Sequence, residues 1–143
     1  MKELYIVGFD DTEASRRAVD FAAERAKAAS GSLLLLFVIE WSPYSFLTNE
    51  EIAERHVRRK SEIARAEALV APVAESVRER GVECEALVRY GNAAELLCEA
   101  AEERGAVQIV VGRNGDSPLK SRLLGGLVIS LAQASPVPLI VVP

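Results

Sequence analysis

Two segments of the sequence combine residue types that could bind an anion. Residues 8–12 read Gly-Phe-Asp-Asp-Thr, and residues 112–126 carry four glycines together with Lys120 and Arg122. Glycine lets backbone N–H groups approach a ligand closely, and the first turn of a helix adds the positive end of a dipole. The second segment could therefore cradle a polyphosphate, or it could be a glycine loop that only turns the chain.

The spacing within residues 112–126 matches neither common phosphate-binding motif. It contains no GxGxxG, and Leu119 stands where a Walker A motif has its second glycine, although Gly115 precedes Lys120 and Ser121 at a suggestive distance. The phosphate-binding interpretation therefore depends on where the fold places this segment.

Both segments follow short apolar stretches that we predict to be strands. The predicted strands are Leu4–Val7, Leu33–Ile39, Val82–Val88, Val107–Val111 and Val137–Val142. The second is continuously apolar, which is typical of a parallel-sheet strand covered on both faces. The third alternates with Glu83 and Glu85, so we predict a half-buried strand at a sheet edge.

Helical patterns separate these strands. The first helix, capped by Asp11 or Thr12, repeats an alanine every four residues, at Ala14, Ala18, Ala22 and Ala26. This small-residue face permits close approach to a sheet. A long charged helix is predicted over about 49–80, where Pro72 should kink or divide it. Asn92 and Glu95 suit the start of a third helix, and a fourth is predicted over 127–134.

The alternation of strands and helices predicts an α/β fold, a parallel doubly wound sheet with right-handed crossovers and helices on both faces. In such sheets, ligands bind at the carboxyl ends of the strands, where the direction of winding reverses. Residues 8–12 follow the first strand and residues 112–126 follow the fourth, so both are candidates for that crevice.

Composition limits the class of protein. The 143 residues are 50% hydrophobic, 27% charged and 6% aromatic, which predicts a single domain over residues 1–143 with an aliphatic core. A net charge of -4 argues against a nucleic-acid-binding face. No stretch approaches the ~20 apolar residues of a membrane span, and no signal peptide is recognisable. Cys84 and Cys98 form no CxxC pair, so we interpret them as reduced thiols of a cytoplasmic protein.

A few isolated residues invite a functional interpretation. His56 is the sole histidine and lies in a charged helical stretch, so we expect a solvated side chain rather than a general base. Asp10 and Asp11 could form a carboxylate pair, but neighbours in one turn point in different directions, so we expect only Asp10 to face the crevice. Trp41 and Tyr44 could form a lid over the site or pack as loop aromatics.

Taken together and in this order, these motifs resemble the universal stress protein family over nearly the whole chain. Gly112-x2-Gly115-x9-Gly125 matches the family's ATP-binding signature, and Gly126 stands where that signature has Ser or Thr. Asp10, Thr12 and Ser15 match its D-x-[ST]-x-x-[ST] turn after the first strand. Further similar segments are residues 37–39, 89–95, 105–112 and 135–142.

The resemblance implies a five-stranded Rossmann-like sheet with strand order 3-2-1-4-5. The closing strand is then a sheet edge, and a bare apolar edge invites pairing with another chain. Family members form homodimers in which the closing strands meet. We therefore predict a homodimer through Val137–Val142.

The resemblance also implies an adenine nucleotide between the first and fourth strands, with Mg²⁺ or Mn²⁺ held by the phosphates. In ATP-binding relatives, the residues matching Asp10 and Val38 contact adenine, and those matching Val111 and Gly112 lie near the ribose. The last five residues of the predicted site match those that hold the triphosphate. The predicted site comprises Gly8, Phe9, Asp10, Thr12, Val38, Val111, Gly112, Arg113, Gly115, Gly125, Gly126, Leu127 and Val128.

Three functions remain open at this point. The first is a stress-response or signalling domain that binds ATP or a related nucleotide. Binding and not turnover would carry its signal, because no nucleophile, general base or arginine-finger arrangement is recognisable. The second is a nucleotide-free dimeric interaction module of the same fold. The third is an adenine-nucleotide enzyme of related fold, although such chains usually carry additional catalytic elements.

Overall fold

A computed structural model describes residues 2–40, 48–113 and 126–143. The elements follow in the order β1 (Leu4–Gly8), α1 (Glu13–Ala28), β2 (Ser32–Glu40), α2 (Asn49–Glu79), β3 (Glu83–Gly91), α3 (Ala93–Arg104), β4 (Gln108–Gly112), α4 (Gly126–Ala134) and β5 (Leu139–Val142). The strands form one parallel sheet with the order β3-β2-β1-β4-β5. The predicted fold class and strand order are therefore confirmed, including the edge position of the half-buried third strand.

Apolar side chains cover both faces of the sheet. On one face, α1 and α2 pack over a cluster that contains Val7, Leu35 and Val110. On the other face, α3 and α4 pack over a cluster that contains Ile6 and Ile109. The central strands are continuously apolar because helices cover them on both sides.

The alanine face of α1 lies against the sheet as predicted. The four alanines on this face, Ala14, Ala18, Ala22 and Ala26, are all buried. Because a methyl group is the only side chain between the helix and the strands, the backbone of α1 comes close to β4. This closeness brings the first turn of α1 to the carboxyl end of the sheet.

Helix α2 is a single helix of 31 residues, so Pro72 does not divide it. The ring of Pro72 removes one N–H group, and the carbonyl that would accept from it belongs to Ala68. Both residues are exposed, so water can satisfy that carbonyl. Helix α2 begins with a capping box between Thr48 and Glu51. Of the helices within the described ranges, none is long and apolar enough to cross a membrane.

Candidate functional site

A cavity of about 300 Å³ opens at the carboxyl ends of β1 and β4. Its lining residues are Gly8, Phe9, Asp10, Thr12, Ser15, Leu36, Val38, Ala93, Leu97, Val111, Gly112, Gly126, Leu127 and Val128. Strand β1 is followed by a crossover to β2 on one side, and β4 pairs with β1 on the other side. The cavity therefore lies where the direction of winding reverses, the usual ligand position in such sheets.

Ten of the predicted site residues line this cavity. Arg113 is not among the lining residues, and its backbone N–H continues the β4–β5 ladder by donating to the carbonyl of Val142. Gly115 and Gly125 lie outside the described residues, as do Asp116, Lys120 and Arg122.

Leu36, Ala93 and Leu97 line the cavity but were missed by the sequence analysis. Ala93 and Leu97 lie on α3, which packs over the same face of the sheet as α4. The sequence does contain a signal for Ala93. Asn92 directly follows the third strand, so the helix that it caps begins at the carboxyl edge of the sheet, where the cavity lies.

A hydrogen-bond network fixes the β1–α1 turn on the cavity side. Oδ1 of Asp10 accepts from the backbone N–H of Thr12 at 3.1 Å and from the Thr12 hydroxyl at 2.6 Å. The Thr12 oxygen in turn accepts from the backbone N–H of Ser15 and caps α1. The Ser15 hydroxyl donates to the carbonyl of Thr12 at 2.9 Å. The Asp10 carboxylate is thus held in one orientation at the cavity wall.

Three helices direct their N-terminal turns toward the cavity. In α1, the Thr12 oxygen already accepts from an N-terminal amide. In α3, Asn92 accepts from the amide of Glu95, and the Glu40 carboxylate accepts from the amide of Ala93 at 3.3 Å. Side-chain acceptors from this chain therefore satisfy N-terminal amides of α1 and α3.

The first turn of α4 lies directly at the cavity. Its first three residues, Gly126, Leu127 and Val128, all line the cavity. The first N–H groups of a helix have no partner within the helix, and they carry its positive dipole end. Among residues 2–40, 48–113 and 126–143, no atom lies within 4 Å of a side-chain Cβ added at Gly126. These N–H groups and the helix dipole favour an anion at this end of the cavity.

Gly112 allows β4 to approach α1 at the base of the cavity. A Cβ at this position would lie 2.5 Å from the carbonyl carbon of Ala14 and 2.7 Å from the backbone nitrogen of Ser15. Both distances are shorter than any normal contact, so only glycine fits without moving the first turn of α1. Gly112 therefore sets the distance between β4 and the first turn of α1 at the base of the cavity.

The cavity wall opposite the polar turn is apolar. Leu36 and Val38 come from β2, and Leu97 comes from α3. Leu36 and Leu97 are almost completely buried. The cavity therefore combines apolar side chains with polar groups from Asp10 and from the first turn of α4.

Of the remaining candidate residues that the structure describes, His56, Cys84 and Cys98 are not among the cavity-lining residues. His56 is exposed on α2, and Trp41 and Tyr44 lie outside the described residues. Across residues 2–40, 48–113 and 126–143, no group of three or more His, Cys, Asp or Glu side chains is arranged to hold a metal ion. Cys84 is buried and Cys98 is half-buried, and both are free thiols.

Comparisons with known proteins agree with this architecture. A sequence model of the universal stress protein family matches residues 5–143. Universal stress protein YxiE from Bacillus subtilis (strain 168) is 29% identical over 142 residues, which cover 96% of each chain.

Two solved structures have the same fold. Universal stress protein UspA from Lactobacillus plantarum superposes with a TM-score of 0.85 at 20% identity, covering 100% of this chain and 99% of that chain. A universal stress protein in complex with cAMP superposes with a TM-score of 0.70 at 24% identity, covering 99% of this chain and 96% of that chain.

Proposed function

Because the chain belongs to the universal stress protein family, we propose that its cavity binds an adenine nucleotide, ATP or a related molecule, in stress response or signalling. The observation that carries the proposal is that one cavity of about 300 Å³ is lined by a fixed carboxylate, by apolar side chains and by the first turn of a helix. A related structure of the same fold is in complex with cAMP, which supports an adenine nucleotide as the ligand.

The chemistry of the walls suggests how the nucleotide lies. The adenine ring fits beside Val38 and Leu36, within reach of the Asp10 carboxylate, which can accept a hydrogen bond from an amino group. The ribose then lies near Val111 and Gly112. The phosphates extend to the first turn of α4, where backbone N–H groups and the helix dipole favour negative charge.

In this arrangement the signature glycines Gly115 and Gly125 add further backbone N–H groups to the phosphates. A Mg²⁺ or Mn²⁺ ion that accompanies ATP would take its ligands from the phosphates and water, in keeping with the usual way proteins bind Mg²⁺ with a nucleotide. We propose binding without rapid turnover, so that the bound state carries the signal. The proposal includes a single domain over residues 1–143 and a cytoplasmic location.

We also propose a homodimer joined at β5. In a parallel ladder, the N–H and C=O groups of one residue point to the same side, and successive residues alternate. The carbonyls of Pro138 and Val142 accept from amides of β4 and its extension. The backbone groups of Leu139 and Val141 therefore point to the free edge of the sheet, beside half-buried apolar side chains.

The opposite edge of the sheet is protected. The carbonyl of Cys84 accepts from Nε of Arg78 at 2.9 Å, and the carbonyl of Val88 accepts from Arg89 at 3.0 Å. Arginine side chains thus occupy outward-facing carbonyls of β3. Charged groups on an edge strand discourage pairing with another chain, so the contrast favours β5 as the edge that dimerises.

The test of nucleotide binding is direct. The purified protein is denatured and the released small molecules are separated and identified, and the nucleotide-free protein is titrated with ATP and Mg²⁺ in a calorimeter. We expect released adenine nucleotide, a saturable heat of binding that fits one site per chain, or both. Absence of nucleotide together with no heat on titration would reject it.

That negative outcome would favour a nucleotide-free interaction module, because the free edge of β5 does not depend on the cavity. Sedimentation at micromolar concentration tests the dimer independently of any ligand. A monomer would reject the pairing at β5 without affecting the nucleotide proposal.

A further inference from the structure

The β1–α1 turn has an outer face, which is built by Asp11 and Arg16. Asp11 has a φ of 63°, in the left-handed region that most side chains avoid and that aspartate tolerates better. It does not line the cavity. Its carboxylate instead forms an ion pair with the guanidinium of Arg16, which lies in the first turns of α1. The ion pair thus links Asp11 to α1 on the outer face of the turn.

Arg16 also contacts the residue on the other side of Asp10. Its guanidinium carbon lies 5.9 Å from the ring centroid of Phe9, within the range of a cation–π interaction. Phe9 is 2% exposed, and its ring meets the ring of Phe37 edge to face with the centroids 6.3 Å apart. One arginine therefore binds both chain neighbours of the carboxylate that faces the cavity.

We propose that Arg16 and Asp11 are positioning residues for ligand binding. They hold the β1–α1 turn in the left-handed conformation that presents Asp10 to the cavity. Neither side chain touches the ligand in this arrangement. The ligand-binding part of this inference rests on the proposed nucleotide function, whereas the effect on the turn can be measured in the ligand-free protein.

The size of the expected effect follows from exposure. The side chain of Arg16 is 54% exposed and that of Asp11 is 32% exposed, so solvent weakens their attraction. Arg16→Gln removes both the ion pair and the ring contact, so we expect it to weaken nucleotide affinity about three- to tenfold. Asp11→Asn removes only the ion pair, so we expect it to weaken affinity about two- to fivefold.

The sign of the charge change separates positioning from simple attraction. Arg16→Gln removes a positive charge, and Asp11→Asn removes a negative charge. If the pair acts only through its long-range field, Asp11→Asn should strengthen the binding of ATP with Mg²⁺. If the pair positions the turn, both variants should weaken it, and Arg16→Lys should recover part of the loss. Calorimetric titration of each variant measures this.

Arg25 provides a matched control on the same helix. Its guanidinium lies 5.9 Å from the ring centroid of Phe21, the same distance as in the Arg16 contact. Arg25→Gln therefore removes the same charge and the same type of ring contact away from the cavity. We expect its affinity to equal that of the wild type. Equal weakening by Arg25→Gln, wild-type affinity in Arg16→Gln, or stronger binding by Asp11→Asn would each overturn the proposal.

Amide exchange in the ligand-free protein tests the turn itself. The N–H of Thr12 donates to Asp10 within the turn, and the N–H of Glu95 donates to Asn92, the N-cap of α3. Arg16→Gln should accelerate exchange at Thr12 and leave Glu95 unchanged. An unchanged Thr12 rate would overturn the proposal. If the wild type binds no adenine nucleotide, the proposed function fails, and this measurement still decides whether the pair holds the turn.

Discussion

The hydroxyl of Thr12 lies 2.6 Å from Oδ1 of Asp10 and donates a hydrogen bond to it. The same hydroxyl oxygen accepts from the backbone N–H of Ser15 and so caps α1. One side chain therefore begins the helix and orients the carboxylate at the cavity wall. Stability of the helix start and geometry of the site depend on the same two hydrogen bonds.

Thr12→Val should impair both properties, because valine keeps the shape of threonine and removes the hydroxyl. Loss of an N-cap costs about 0.5–2 kcal/mol. We expect a fall of that size in the free energy of unfolding, measured with urea, and weaker nucleotide binding, measured by calorimetry. Thr12→Ser keeps the hydroxyl and should behave as the wild type. If Thr12→Val is as stable as Thr12→Ser, the cap contributes nothing.

Gly126→Ser should tighten ATP binding. Within the described part of the chain, a Cβ at Gly126 meets no atom within 4 Å, so we expect the serine hydroxyl to lie beside the first turn of α4. A hydrogen bond to a charged group contributes about 1.5–3 kcal/mol, which corresponds to roughly a tenfold to hundredfold gain in affinity. Gly126→Ala adds the Cβ without the hydroxyl, and should leave affinity near that of the wild type.

Comparing Gly126→Ser with Gly126→Ala tests the phosphate end of the site separately from the adenine end. If Gly126→Ser has no effect and Gly115→Val also leaves ATP affinity unchanged, the assignment of the phosphates to this end is wrong. Measuring AMP beside ATP adds a check, because a hydroxyl that contacts the outer phosphates should favour ATP more than AMP.

Gly112→Ala should lower both stability and affinity. The new methyl group would lie 2.5 Å from the carbonyl carbon of Ala14, so the first turn of α1 must move away from β4. Overpacking of this kind costs about 1–3 kcal/mol. Urea unfolding and nucleotide titration measure the two effects. The matched control is again Gly126→Ala, where the same methyl group meets none of the described residues within 4 Å, and equal stability of the two variants would contradict the close approach.

Much of the fold could be predicted because the signals are local. Continuous apolar runs such as Leu33–Ile39 specify buried parallel strands, and the four-residue alanine repeat specifies the face of α1. Element boundaries were less accurate. Strand β5 begins at Leu139 and not at Val137, because Pro138 has no N–H group for a ladder. Helix α2 passes through Pro72 because the affected carbonyl of Ala68 is open to water.

The part of the site that a short polar motif forms could be predicted from the sequence. Asp10, Thr12 and Ser15 form a recognisable motif, and their side chains bond to one another. The apolar wall is different: Leu97 resembles any core residue in the sequence, and only the packing of α3 over the sheet brings it to the cavity. The role of Arg16 was equally hidden, since an arginine on a solvated helix face is common.

Val141→Pro should convert the dimer to a monomer. The backbone groups of Val141 point away from β4, so proline there removes an N–H from the free edge without breaking the ladder inside the sheet. The matched control is Ala86→Pro, at an outward-facing position of the β3 edge. Sedimentation should give a monomer for Val141→Pro and a dimer for Ala86→Pro. The reverse pattern would assign the interface to β3.

Cys84 should resist alkylation in the folded protein. Burial raises the pKa of its thiol to about 11, against a smaller lowering by Arg78. Because the thiolate is the reactive form, iodoacetamide at pH 8 should label Cys84 slowly. Burial also raises the pKa of Cys98, but this thiol is less buried and should react first. The Cys98→Ser variant isolates Cys84, and unfolding in urea provides the fast limit.

The same pKa shift makes stability depend on pH. An ordinary thiol loses its proton near pH 8.5, so between about pH 8.5 and 11 the unfolded chain releases the Cys84 proton before the folded protein does. The free energy of unfolding should therefore decrease as pH rises through this range. Tyr5 and Tyr90, whose pKa values are also raised, contribute to the same trend. Subtracting the profile of Cys84→Ala from that of the wild type removes their contribution, and a flat difference would contradict the burial of the thiol.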